Sequence, residues 1–80
     1  MADGHYAVHP KFRSIMEALT TTERAELAER TGVVDKNLYH YNRGYKRPEP
    51  ERARVISEGL TDMGYPCRKA WIRPDLWGPR

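Results

Sequence analysis

The chain has one cysteine, no apolar run approaching the ~20 residues of a membrane span, and no Gly-rich loop that could cradle a phosphate. Each absence removes a class of protein. A lone Cys67 cannot form an internal disulfide, which agrees with a reducing compartment, and its expected role is that of a small half-buried hydrophobe. The three histidines, His5, His9 and His40, are too scattered to form a metal site with it. No nucleophile–base pair is evident, and eighty residues make one small domain with little room for a deep pocket, so no catalytic residue, cofactor or small-molecule ligand is expected. The opening MADGHYAVHPKFR lacks the apolar segment of a signal peptide, so a cytoplasmic protein is expected.

Net charge is also modest, at +3, so its placement carries more information than its total. From Glu17 to Asp35 there are five acidic and two basic residues; from Lys36 to Arg47 there are four basic and none acidic. With 39% apolar and 31% charged residues the composition is otherwise that of a soluble globular domain.

The basic stretch belongs to the segment around which the chain is organised, RAELAERTGVVDKNLYHYNR, residues 24–43. Gly32 interrupts two helical patterns and suits the left-handed backbone that ends a helix, so the first helix should stop near Arg30. Leu27 and Ala28 are read on one side with Ala25 and Thr31, the small Ala28 letting another helix pass closely. Beyond the turn, Leu38, Tyr41 and Tyr45 give an apolar stripe, while Lys36, Tyr39, His40 and Arg43 follow the helical period on the opposite face. One face packs and the other is left free. This is the pattern of a helix-turn-helix, whose second helix lies in the DNA major groove, although plain helical hairpins share it.

The rest supplies support. Phe12, Ile15, Met16 and Leu19 make residues 11–19 an amphipathic helix. Thr20 and Glu23 match a capping box, and the same helix start could meet a DNA phosphate through Thr20 and Thr22. A reading helix from Val34 or Asp35 to Arg43 follows, with Asp35 either capping it or accepting from a cytosine amino group. Gly44 ends it. Tyr45-Lys46-Arg47-Pro48 is a basic connector suited to phosphates. Pro50 opens a further helix whose core stripe is Ala53, Ile56, Leu60 and Met63 and which Gly64 ends, leaving Arg52 and Arg54 outward. The expected architecture is all-α: a loose arm over residues 1–10, a four-helix domain over 11–64, and an extended tail over 65–80. That tail holds three Pro together with Trp71, Ile72, Leu76 and Trp77, and is expected as an irregular strap that packs on the same chain or on a second copy.

The hairpin, the connector Gly44, Lys46, Arg47 and Pro48, then Pro50, Ala53 and Ile56, and finally Ile72, Arg73, Pro74, Asp75 and Trp77 resemble the small Cro-like regulators of bacteriophages and prophages, including the YdaS-like group. The resemblance runs roughly from Thr20 to Gly78. It departs at Val34 and Glu49, where the family usually has Ser or Thr, and at residues 62–70; the arm has no counterpart. It implies a lambda-repressor-like fold and a repressor that occupies a short double-stranded operator, often as a homodimer, in a bacterial host cell. Its base-reading positions fall on Asp35, Lys36, Tyr39, His40 and Arg43. Arg43 and Lys36 can donate to guanine, and Tyr39 and His40 can hydrogen-bond or touch a thymine methyl group. Asn37, Asn42, Tyr45, Lys46 and Arg47 are the phosphate candidates. His40 could make binding pH-dependent or act as a neutral hydrogen-bonding group. One rival is a protein-binding role, as antirepressor or host-interaction factor, which exposed Trp71 and Trp77 would favour. A third reading, RNA binding, is disfavoured because the aromatic residues lie on helices and a strap and not on a base-stacking sheet.

Overall fold

The computed structural model describes Tyr6 and residues 8–77, and within them every regular element is a helix. Four main helices, α1 (Pro10–Ala18), α2 (Thr21–Thr31), α3 (Asp35–Arg43) and α4 (Pro50–Asp62), are followed by two short ones, α5 (Lys69–Ile72) and α6 (Pro74–Trp77).

Helix starts follow local chemistry where the chain provides it. Pro10 stands in the first turn of α1, and the His9 Nδ1 accepts from the Lys11 amide at 3.0 Å, so the helix begins one residue earlier than Lys11. At α2 the capping box is complete: the Glu23 amide donates to Thr20 Oγ1 at 3.1 Å and the Thr20 amide to Glu23 Oε1 at 2.9 Å. Tyr65 adds a hydrogen bond to Glu23 Oε2 at 2.8 Å, and these donors together hold the Glu23 carboxyl below its usual range, Thr20's amide contributing most. Val34 and Glu49 provide no side-chain cap to α3 or α4, as their departure from Ser or Thr implied. Gly32 and Gly44 end α2 and α3 with φ of 74° and 82°.

The core joins Phe12, Met16 and Leu19 of α1 and its exit to Leu27, Val33, Leu38, Tyr41, Ala53, Ile56, Leu60 and Ile72, all buried. α2 packs on α4 and α3, while α1 packs on α3 and α5. Two expected placements fail. Ala25 is exposed while Leu27 is buried, because two residues turn a helix by about 200° and put their side chains on different sides. Tyr45 is 44% exposed instead of extending the Leu38 stripe, because the chain leaves helical register at Gly44. Gly59 lets α2 and α4 approach closely, while the small Ala28 packs partly buried against the core. A Cβ at Gly59 would lie 3.2 Å from Leu27 Cδ1 and 3.3 Å from Thr31 Cγ2.

The tail is not an extended strap. Pro74 opens α6, where a missing amide hydrogen costs nothing, and the buried Arg73 ties the segment down. Its guanidinium donates to both Asp75 oxygens, at 2.8 and 2.6 Å, and to the Pro48 carbonyl at 2.7 Å. Trp71 and Trp77 are half-buried against the core, with His9 stacked on Trp71 at 5.6 Å, so the tail packs on its own chain. The expected arm 1–10 is only partly within the described residues. There, the Tyr6 amide donates to the Gly44 carbonyl at 2.8 Å, the His9 amide donates to the Trp71 carbonyl at 3.0 Å, and Val8 packs on the core. Burial pushes the Cys67 thiol up to about 12, consistent with a small packing residue.

The Arg73 guanidinium draws the Asp75 carboxyl down from 3.8 to about 2. A depressed carboxyl stabilises the fold above its unfolded value and loses that contribution as pH falls through the folded one. Stability should therefore decline between about pH 4 and pH 2 through this group. Chemical denaturation across that range should show a decline that Asp75→Asn reduces; an identical pH profile for the variant would rule the pair out as the cause.

Candidate nucleic-acid interface

α3 is held from one side. Val33 fills the turn, and Leu38, Tyr41 and Asn42 face inward, spaced three and four residues apart as one buried helical stripe. The Tyr41 hydroxyl accepts from Arg52 Nη1 at 3.2 Å, so α4 also fixes the helix through a polar contact. On the outer side Asp35, Lys36, Tyr39 and Arg43 are exposed, and His40 is half-buried.

Asp35 does not cap α3. It is the first helical residue, after Val34, and its carboxylate lies 3.8 Å from the Arg24 Nε. Both side chains are substantially exposed, so the pair contributes at most about 1 kcal/mol. Its geometric effect is larger, since it sets the first turn of α2 beside the start of α3. Thr20 and Thr22 are exposed at that end of α2. A groove of about 570 Å³ runs between Met16 and Glu17 of α1, Arg24 of α2, and Asp35, Lys36, Tyr39, Asn42 and Arg43 of α3.

Farther along α3 the residues are aromatic and basic. The Arg43 guanidinium lies 5.9 Å from the Tyr39 ring centre, and His40 sits 5.9 Å from both Tyr39 and Tyr45. His40 Nδ1 is buried without a hydrogen-bond partner. Among the phosphate candidates, Lys46 Nζ donates to Asn37 Oδ1 at 3.4 Å, which brings those two together. Arg47 lies 4.1 Å over the Tyr6 ring and 3.6 Å from Asp75. Asn42 lines the groove but is largely covered. It is 7% exposed with Oδ1 buried, because it follows Leu38 by four residues and shares its buried stripe.

Three participants escape the sequence reading. Arg24 has no local signal, since its partner Asp35 lies across the turn. Tyr6 lies in a weakly patterned segment, yet it abuts Gly44 so closely that a Cβ there would come 2.6 Å from the Tyr6 carbonyl oxygen. Val34 is 60% exposed at the tip of α3; its signal was the missing cap residue.

Among the described residues no group of three or more His, Cys, Asp or Glu could hold a metal ion, and no helix is long and apolar enough to cross a membrane. Comparisons of the chain with protein-family models, with curated proteins and with solved structures find no match.

Proposed function

We propose that this chain is a sequence-specific double-stranded DNA-binding regulator that represses transcription by laying α3 in the major groove of a short operator. The observation that carries this reading is the division of α3. Leu38, Tyr41 and Asn42 lock one face into the domain, while Asp35, Lys36, Tyr39 and Arg43 project from the other, on the second helix of a helix-turn-helix. Lys36 and Arg43 would donate to guanine O6 and N7, and Asp35, steadied by Arg24, would accept from a cytosine amino group. Lys46 and Arg47 would hold phosphates, and Val34 could meet a thymine methyl group. The charge distribution supports the same face, with no acidic residue from Lys36 to Arg47.

The phage or prophage setting, a bacterial cytoplasm and a homodimer on DNA rest on the resemblance of the connector and tail. Those motif residues do share a task here, since Arg73 joins Asp75 to the carbonyl of Pro48. The protein-binding rival has less to stand on, because the two tail tryptophans are packed against the core.

Selection of bound duplexes from a random pool tests the proposal. A recovered two-fold-symmetric site is the expected result, its half-site spacing reporting the dimer. Failure to enrich any sequence, with residual binding lost on adding salt, would end the operator reading. Lys46→Ala should weaken all duplexes alike and reduce the slope of log K against log salt by about one. Titration at several salt concentrations checks it, and an unchanged slope would remove Lys46 from the phosphate contacts.

A further inference from the structure

The C-terminal end of α3 carries a surface unlike the rest of the reading helix. Tyr39 is 51% exposed, Tyr45 44% and Tyr6 41%, although the domain buries Tyr41 on the same helix. The Tyr39 and Tyr45 rings meet edge to face at 6.3 Å and 65°, with His40 packed against both. Arg43 lies over Tyr39, Arg47 lies over Tyr6, and Tyr6 is fixed beside them by its amide hydrogen bond to Gly44. Lys46 is exposed on the same connector. The carboxylate close to Arg47 is Asp75, which is already held by two nitrogens of Arg73.

A duplex can use the charges of this surface but not its exposed ring faces. In a double helix the faces of the bases are covered by their neighbours, and only edges and phosphates are presented. An exposed tyrosine face is matched by a base that has left the stack, and a guanidinium beside it can neutralise a phosphate or stack in turn. Two rings inclined at 65° cannot both continue one regular stack of bases. They suit successive bases splayed apart on an unpaired strand.

We propose that this aromatic and basic ridge binds single-stranded nucleic acid, with unpaired bases stacked on Tyr39 and Tyr45 and the backbone held by Arg43, Lys46 and Arg47. Binding is tolerant of sequence, because every base has a face to stack. The inference goes beyond the operator reading and stands independently of it.

The test uses the full chain and end-labelled oligothymidylate and oligouridylate of about twelve nucleotides, followed by fluorescence anisotropy at low and moderate salt. Saturable binding that weakens with salt is expected, and either homopolymer suffices, their ratio reporting the preferred sugar. Tyr45→Ala should lower affinity roughly 5- to 150-fold, whereas Tyr45→Phe, which keeps the ring face, should stay near wild type. Tyr39→Ala provides a second loss of a stacking face should Tyr45→Ala fail to fold, as judged by circular dichroism. No binding of either homopolymer at low salt overturns the proposal. Wild-type affinity in the folded alanine variants also overturns it, since charge alone would then explain the binding. A protein that selects a duplex site but ignores both homopolymers loses the ridge and keeps the operator reading; the reverse pattern does the opposite.

Discussion

Replacing Phe12 with alanine is expected to destabilise the fold by about 3–5 kcal/mol, the largest loss among the substitutions considered. Phe12 is fully buried, on a helix that packs against both α3 and α5. Its removal forfeits apolar burial and leaves a cavity that helices pinned from several sides cannot close. A domain of this length has a total stability of roughly 4–12 kcal/mol, so the variant would lose a large fraction of it. Urea unfolding checks this, as a lower midpoint at unchanged slope. A loss under about 1 kcal/mol would mean that α1 can shift to refill the space, and that it does not brace α3 as its burial implies.

Arg43→Ala is expected to cost about 1–3 kcal/mol of binding at the selected duplex site, roughly a 5- to 150-fold loss, and to relax the preference for guanine at one position. The side chain is exposed on the last turn of α3 and lies over Tyr39, so little stability depends on it. A helix-terminal cation contributes only about 0.3–1 kcal/mol through the dipole. Binding and folding effects should therefore separate. Affinities for the selected site and for random duplex, measured side by side, decide the matter: equal losses on both would make Arg43 a phosphate contact, with no part in reading sequence. Lys46→Ala is the comparison, since its expected loss is equal on both.

Much of the fold was legible from local rules. Thr20 with Glu23, Gly32, Gly44 and Pro50 punctuate helices through hydrogen bonding and backbone conformation that a few neighbouring residues settle among themselves. The stripe of Phe12, Met16 and Leu19 and that of Ala53, Ile56 and Leu60 needed only the helical period. For the candidate site, the same period turned Lys36, Tyr39 and Arg43 outward, whereas His40, read on that face, is half-buried.

Misplaced residues mark the limit of those rules. Asn42 looked like a polar surface residue by type, but its spacing from Leu38 put it under the helix. Tyr45 looked like the next step of an apolar stripe, but Gly44 had already ended the period. The tail looked extended from its prolines, yet Pro74 begins a helix because Arg73 anchors it to Asp75 and Pro48.

By itself the sequence determined an all-α chain, its main helix ends, the face of α3 that packs, and the basic character of the segment beyond Asp35. Each depends on interactions within a few residues, where spacing along the chain is also spacing in space. Only the tertiary structure decided that Gly59 admits α2, that Arg24 meets Asp35, and that Tyr6 abuts Gly44 and lies under Arg47. Those contacts join residues whose proximity is set by how whole helices pack, and no local period or propensity encodes it.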